Sequence, residues 1–165
     1  MMKSIIVIAH NIRSTHNVGS LLRTADGLGI KKVYLTGYTP YPVKQNDSRL
    51  PHIANKLDTA IHKTALGAEK TVAWEQEDDV FTILSRLRED GYSICALEQT
   101  KDAIELPKYV CPEKCALLLG SEVTGVSAEL LKLVDKHLVI PMFGKKESFN
   151  VVQAAAMALY QLRFK

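Results

Sequence analysis

The 165-residue sequence has no apolar run long enough to cross a bilayer, which argues against a membrane-spanning protein. It has only three cysteines, an odd count that suits a reducing compartment better than a disulfide framework. Cys95 lies in the apolar run "YSICAL" and reads as a core residue. Cys111 and Cys115 flank "PEK" with no matching Cys or His pair nearby, so the three or four ligands of a zinc site are missing. No G-x-G-x-x-G follows the first strand candidate, and there is no Walker A sequence. A Rossmann-type dinucleotide site and a P-loop are therefore not expected. There is also no internal repeat, low-complexity tract or inter-domain linker, and residues 1–165 are expected to form one domain. The N-terminal "MMKSIIVIAH" carries a lysine and a short apolar stretch but no small-residue cleavage site. Its length is that of a buried strand, and the expected compartment is the cytoplasm.

What is present is an alternation. Strand candidates are residues 4–9, 32–36, 71–74, 92–97, 115–119 and 137–140. Helix candidates are 18–28, 58–66, 79–90, 128–134 and 151–162. Asp58 and Ser127 stand where caps would, and Gly67 and Gly91 follow helix ends. The alternation implies an α/β domain with a mostly parallel sheet and helices on both faces.

Charge is unevenly spread. Residues 1–63 hold nine Lys and Arg against three Asp and Glu, a balance of +6, whereas residues 64–165 hold twelve against fifteen. Such asymmetry suits a surface that meets a polyanion. Arg13, His16, Lys44 and Arg49 are the candidate contacts to such a polyanion. The last two belong to the long irregular segment 37–56, "GYTPYPVKQNDSRLPHIANK", where aromatic and basic residues interleave.

Three segments carry candidate chemistry. In "NVGSLLRTA", residues 17–25, Val18, Leu21, Leu22 and Ala25 recur at helical spacing, but Arg23 lies inside the run and Asn17 at its mouth. Taken alone, Asn17 is an N-cap and Arg23 a solvated side chain. "LLLGSEVTGVS", residues 117–127, and "IPMFGKKESFNVVQAAA", residues 140–156, each leave the C-terminal end of a strand, where open α/β sheets bind ligands. Gly120 and Gly144 permit tight turns or close backbone approach there. Leu118, Leu119, Ile140 and Met142 offer an apolar slot for a flat base, and Ser148 and Asn150 can cap the last helix. That helix carries a stripe of small residues, Ala154, Ala155 and Ala158, which fits its own sheet or a subunit contact.

Standing together in this order, the three segments resemble the SpoU/TrmH family of RNA ribose 2′-O-methyltransferases, within the SPOUT superfamily. The resemblance covers nearly the whole chain. It implies a C-terminal deep trefoil knot, a homodimer, and S-adenosylmethionine bound in the knotted loops. The cofactor contacts it implies are Ala96, Leu97, Glu98, Leu118, Leu119, Gly120, Ser121, Ile140, Met142, Gly144, Ser148, Phe149 and Val152. It places the catalytic arginine at Arg23, with Asn17, Glu122, Ser148 and Asn150 beside it. Val152 and Phe149 depart from the serine and leucine usual in relatives. The extra RNA-binding domain of some relatives has no counterpart in the sequence, so RNA, either tRNA or rRNA, would be held by this domain and its dimer mate. The alternatives are a non-catalytic RNA-binding knotted domain and a base methyltransferase of the same superfamily; the Asn…Arg segment favours ribose.

Overall fold

The computed structural model describes residues 2–165. Seven strands, β1 (Ser4–His10), β2 (Lys32–Thr36), β3 (Trp74–Glu77), β4 (Ser93–Leu97), β5 (Ile104–Glu105), β6 (Lys114–Leu119) and β7 (Lys136–Val139), form one sheet. Its order is β3-β2-β1-β6-β4-β7-β5, and every pairing is parallel. The helices are α1 (Thr15–Gly27), α2 (Pro51–Ala65), α3 (Ala68–Thr71), α4 (Val80–Glu89), α5 (Ala128–Leu131) and α6 (Val151–Phe164). No helix among the described residues is long and apolar enough to cross a membrane.

The central strands read as continuous apolar runs because both faces of a parallel sheet are covered. Successive side chains serve opposite layers. Ile5, Val7, Ala9, Leu117 and Leu119 pack with α1, α2 and α6, whereas Ile6, Ile8, Ala116 and Leu118 pack with α4 and α5. Cys95, Cys111 and Cys115 are free and buried. Ala155, Ala158, Leu159 and Leu162 of α6 are wholly buried in the first layer, so the small-residue stripe is used within the chain. Met157, Tyr160 and Phe164 face outward instead. The end of α6 is fastened by Arg163, which donates to the carbonyls of Lys3, Leu28 and Gly29.

Three local expectations are corrected. The second helix begins at Pro51, whose fixed φ suits a first helical position, so residues 51–56 are not loop. Asp58 lies mid-helix and accepts from the Val43 N–H at 2.9 Å rather than capping. Thr71 ends α3, and the adjoining strand is the polar edge strand β3, whose burial is only partial and whose apolar signal is correspondingly weak. The two-residue β5 at the other edge was too short to leave a pattern.

Candidate active site

Because the sheet is all-parallel, every strand delivers its C-terminal loop to one edge. β6, β4 and β7 are neighbours, so the loops after Leu119, Leu97 and Val139 converge. They enclose a cleft of about 590 Å³. Leu97, Leu119, Leu138, Ile140 and Met142 form its apolar part, and Ser121, Glu122, Ser148 and Asn150 its polar rim.

The loop after β6 is a tight turn. Ser121 N donates to Gly125 O at 3.1 Å and Gly125 N to Ser121 O at 2.9 Å. The Glu98 carboxylate fixes its far side by accepting from Val126 N at 2.8 Å. Gly125 has φ 65°, and a Cβ there would lie 2.1 Å from the Glu98 carboxylate. A Cβ on Gly120 would lie 2.3 Å from the Gly125 backbone, so the close approach that Gly120 permits is between the two sides of this one turn. Gly144 has neither positive φ nor any atom near its notional Cβ, and no conformational demand explains it. Across the cleft, Gln99 Nε2 donates to Glu147 O at 2.6 Å and closes the base of the loop after β7. Among the described residues, no backbone–backbone hydrogen bond involves Pro141–Phe149, so apart from Glu147 O the backbone groups of this segment are left for a ligand.

The three sequence segments meet beside this cleft. The Glu122 carboxylate accepts from the N–H groups of Arg13 and Ser14, at 3.0 and 3.2 Å, and from Asn17 Nδ2 at 3.0 Å. It therefore sits at the positive end of α1. Partial burial would raise the Glu122 carboxyl, but the hydrogen bonds from Arg13, Asn17 and Ser14 outweigh it and hold the group below the ordinary glutamate range. Asn17 Oδ1 in turn accepts from Asn150 Nδ2 at 3.4 Å, and Asn150 Oδ1 caps α6 through Val152 N at 2.9 Å. Asn17 is not the cap of α1. Ser14 is, accepting from Asn17 N, and this leaves the Asn17 side chain free to join the other two segments.

Arg23 is not brought into this group. It is exposed on α1 and lines a separate groove between α1 and α2 with Ser20, Thr24, Lys63 and Thr64. Of the expected cofactor contacts, Leu97, Glu98, Leu119, Gly120, Ser121, Ile140, Met142, Ser148 and Phe149 line the cleft. Ala96, Leu118, Gly144 and Val152 do not. Ala96 and Leu118 are one residue out of phase with Leu97 and Leu119, so the pleat turns them into the α4 layer. Gln99, Thr124, Leu138, Val151 and Ala154 were missed. Two of these had a signal: Leu138 shares the strand face of Ile140, and Ala154 stands one turn after Asn150.

The expected RNA contacts divide likewise. Arg13 and His16 are exposed at the start of α1. Arg49 is instead consumed within its own loop. It binds Asp47, the carbonyls of Tyr41 and Pro42, and the face of the Tyr41 ring, with its carbon 3.6 Å from the ring centroid. Lys44 donates to Gln76 at 2.8 Å and lies 5.1 Å from the same ring centroid. The segment is thus an ordered, internally bonded loop and not a free basic arm.

Residues 4–160 match the model of the SpoU rRNA Methylase family. The chain is 29% identical over 159 residues to the tRNA (guanosine(18)-2′-O)-methyltransferase of Aquifex aeolicus, covering 96% of this chain and 68% of that protein. It is 27% identical over 155 residues to the enzyme of the same name from Escherichia coli K12, but spans only 61% of its length. The crystal structure of the A. aeolicus TrmH/SpoU tRNA modifying enzyme superposes with a TM-score of 0.79 at 27% identity, covering 98% of this chain and 74% of that one.

Proposed function

This chain belongs to the SpoU rRNA Methylase family, and we propose that it is an S-adenosylmethionine-dependent methyltransferase acting on a ribose 2′-hydroxyl of tRNA or rRNA. The observation that carries the reading is the convergence of Asn17, Glu122 and Asn150, from three distant segments, beside a cleft at the C-terminal strand ends. The names of the A. aeolicus and E. coli relatives favour tRNA as the substrate.

The cleft fits the cofactor. Its apolar part suits a flat adenine, and the backbone groups of Pro141–Phe149 other than Glu147 O suit the polar edge of a base and an amino-acid tail. When bound, S-adenosylmethionine supplies a methyl group made electrophilic by its sulfonium. The residues of the chain do the rest. Leu97, Leu119 and Ile140 exclude water from the base. The Glu98 carboxylate and the Gly120–Gly125 contact hold the turn that forms one wall. Asn17, Glu122 and Asn150 fix the start of α1 relative to that wall, and so fix where α1 presents its other residues. Arg23 orients the 2′-hydroxyl and stabilises the negative charge that develops as it attacks. A guanidinium carries a permanent charge and a planar fork of donors, so it is suited to this and not to taking the proton, which passes to a neighbouring phosphate.

Arg23 does not line the cleft of its own chain, so the reading includes a two-fold homodimer in which one chain's Arg23 serves the cleft of its partner. The outward row of Met157, Tyr160 and Phe164 on α6 supports such a contact. The reading further takes the loops after β6 and β7 as a trefoil knot, residues 1–165 as one catalytic domain, and the cytoplasm as its place of action. Incubation with methyl-labelled S-adenosylmethionine and RNA tests it. Label in RNA, with saturable cofactor binding by calorimetry, is expected; a folded protein showing neither sinks the reading.

A further inference from the structure

The groove between α1 and α2 has an unusual lining. Ser20, Arg23 and Thr24 stand on one face of α1, at the i, i+3 and i+4 spacing of helical neighbours, and Lys63 and Thr64 face them from the last turn of α2. Its volume is about 500 Å³. Two cations and three hydroxyls make up the lining, with no carboxylate and no aliphatic side chain.

The two walls are held at a fixed separation. A Cβ at Gly19 would lie 2.2 Å from Ile61 O and 2.2 Å from Thr64 Oγ1, so only glycine lets the two helices approach this closely. Thr64 Oγ1 then donates to His16 O at 2.9 Å, pinning α2 to α1, and Ile61 and Ala65 are buried beneath.

Neither cation has an acidic partner among the described residues, although cations elsewhere on this chain do. Lys32 and Arg86 share Glu75, and Arg49 holds Asp47. The acids nearest in sequence are taken up elsewhere. Asp26, one turn after Arg23, accepts from Thr71 Oγ1 at 2.7 Å, Asp58 accepts from Val43 N at 2.9 Å, and Glu69 binds His62, the neighbour of Lys63, at 2.6 Å. The C-terminal dipole of α2 favours a cation at Lys63 on its own account, but it does not account for an opposed arginine, shared hydroxyls and the absence of any counter-charge.

We propose that this groove is a phosphodiester subsite, in which Lys63 is a positioning residue that grips an RNA backbone phosphate together with Arg23. The inference rests on the methyltransferase reading and deepens it. With α1 and α2 locked by Gly19 and Thr64, a phosphate gripped from both walls fixes the adjoining ribose relative to Arg23.

The probe is bulk tRNA and, in parallel, rRNA from cells lacking the protein, using whichever accepts methyl groups from the wild type. Lys63→Gln keeps a polar side chain, one atom shorter, and removes its charge. It is expected to weaken RNA affinity about tenfold near 0.1 M salt and to reduce the slope of log K against log salt by about 0.7–0.9, the signature of one lost phosphate contact. KM for RNA should rise more than kcat falls, while cofactor affinity and melting temperature stay unchanged. Lys63→Arg should restore the slope. Combining Lys63→Gln with Arg23→Gln should weaken RNA affinity by less than the product of the single effects, since both grip one phosphate. If the wild type methylates RNA but Lys63→Gln leaves affinity and slope unaltered, the subsite is wrong and the methyltransferase reading stands. If the wild type methylates neither RNA, both fall.

Discussion

The side-chain amide of Asn17 lies 3.0 Å from the carboxylate of Glu122, although 105 residues separate them in the chain. The same carboxylate takes the first free N–H groups ahead of α1, and Asn17 passes the connection on to Asn150. A loop that walls the cleft is thereby joined to the helix that carries Arg23. Glu122→Gln and Asn17→Ala should each lower stability by about 1 kcal/mol or less, because a helix-end contact is lost but solvent screens an exposed carboxylate. Both should lower methyl transfer more than they lower stability. Thermal denaturation beside single-turnover assays checks this.

The depressed Glu122 carboxyl also sets a pH dependence. A group whose folded pKa lies below its unfolded value stabilises the fold above the unfolded value, about 4.3 for glutamate, and that contribution is lost as pH falls through the folded pKa. The acid limb of stability against pH should therefore be shallower in Glu122→Gln than in the wild type. Identical limbs below pH 4.3 would show that the carboxylate is not coupled to folding.

The two loop glycines should behave oppositely. Gly120→Ala drives a methyl group to 2.3 Å from the Gly125 backbone and is expected to cost about 1–3 kcal/mol, with loss of cofactor binding as the turn is displaced. Gly144→Ala meets nothing within 4 Å and should change stability by less than about 0.5 kcal/mol. Melting curves and cofactor calorimetry on the pair separate an internal packing role from ligand approach.

Lys44 and Arg49, basic residues in an irregular loop, look like phosphate contacts in the sequence. In the structure they hold the loop on Tyr41, Asp47 and Gln76. Replacing both with glutamine should lower the melting temperature and leave RNA affinity and its salt slope unchanged. A reduced slope in a fully folded double variant would return them to the RNA surface.

Much of this was legible in the sequence, for physical reasons that also mark where legibility ended. Buried parallel strands such as Ile5–Ala9 and Cys115–Leu119 announce themselves as apolar runs, and Ser127 at the start of α5 as a hydroxyl before a helix. The edge strands β3 and β5 do not, because one is polar and the other two residues long. The glycines and apolar flanks mark the cleft in the sequence, but strand alternation sends Ala96 and Leu118 into the α4 layer and Leu138 into the cleft. What no local pattern could give was the pairing of Glu122 with Asn17, or the separation of Arg23 from both, since these depend on which strands become neighbours.

Arg23 carries the proposed chemistry, so Arg23→Ala should cut single-turnover methylation by about 100-fold or more. Cofactor affinity should hold, because Arg23 is assigned to the ribose hydroxyl and not to the cofactor. Arg23→Lys should rescue poorly, lacking the planar fork that holds hydroxyl and phosphate together. Near-normal transfer by the alanine variant would leave Arg23 a solvated side chain.

The most direct measurement is the position of the transferred methyl. RNA from cells lacking the protein is treated with the purified protein and isotopically labelled S-adenosylmethionine, digested to nucleosides, and analysed by mass spectrometry. The account expects one nucleoside whose label leaves with the ribose fragment. Label that stays with the base, or no labelled nucleoside from either tRNA or rRNA, would contradict it.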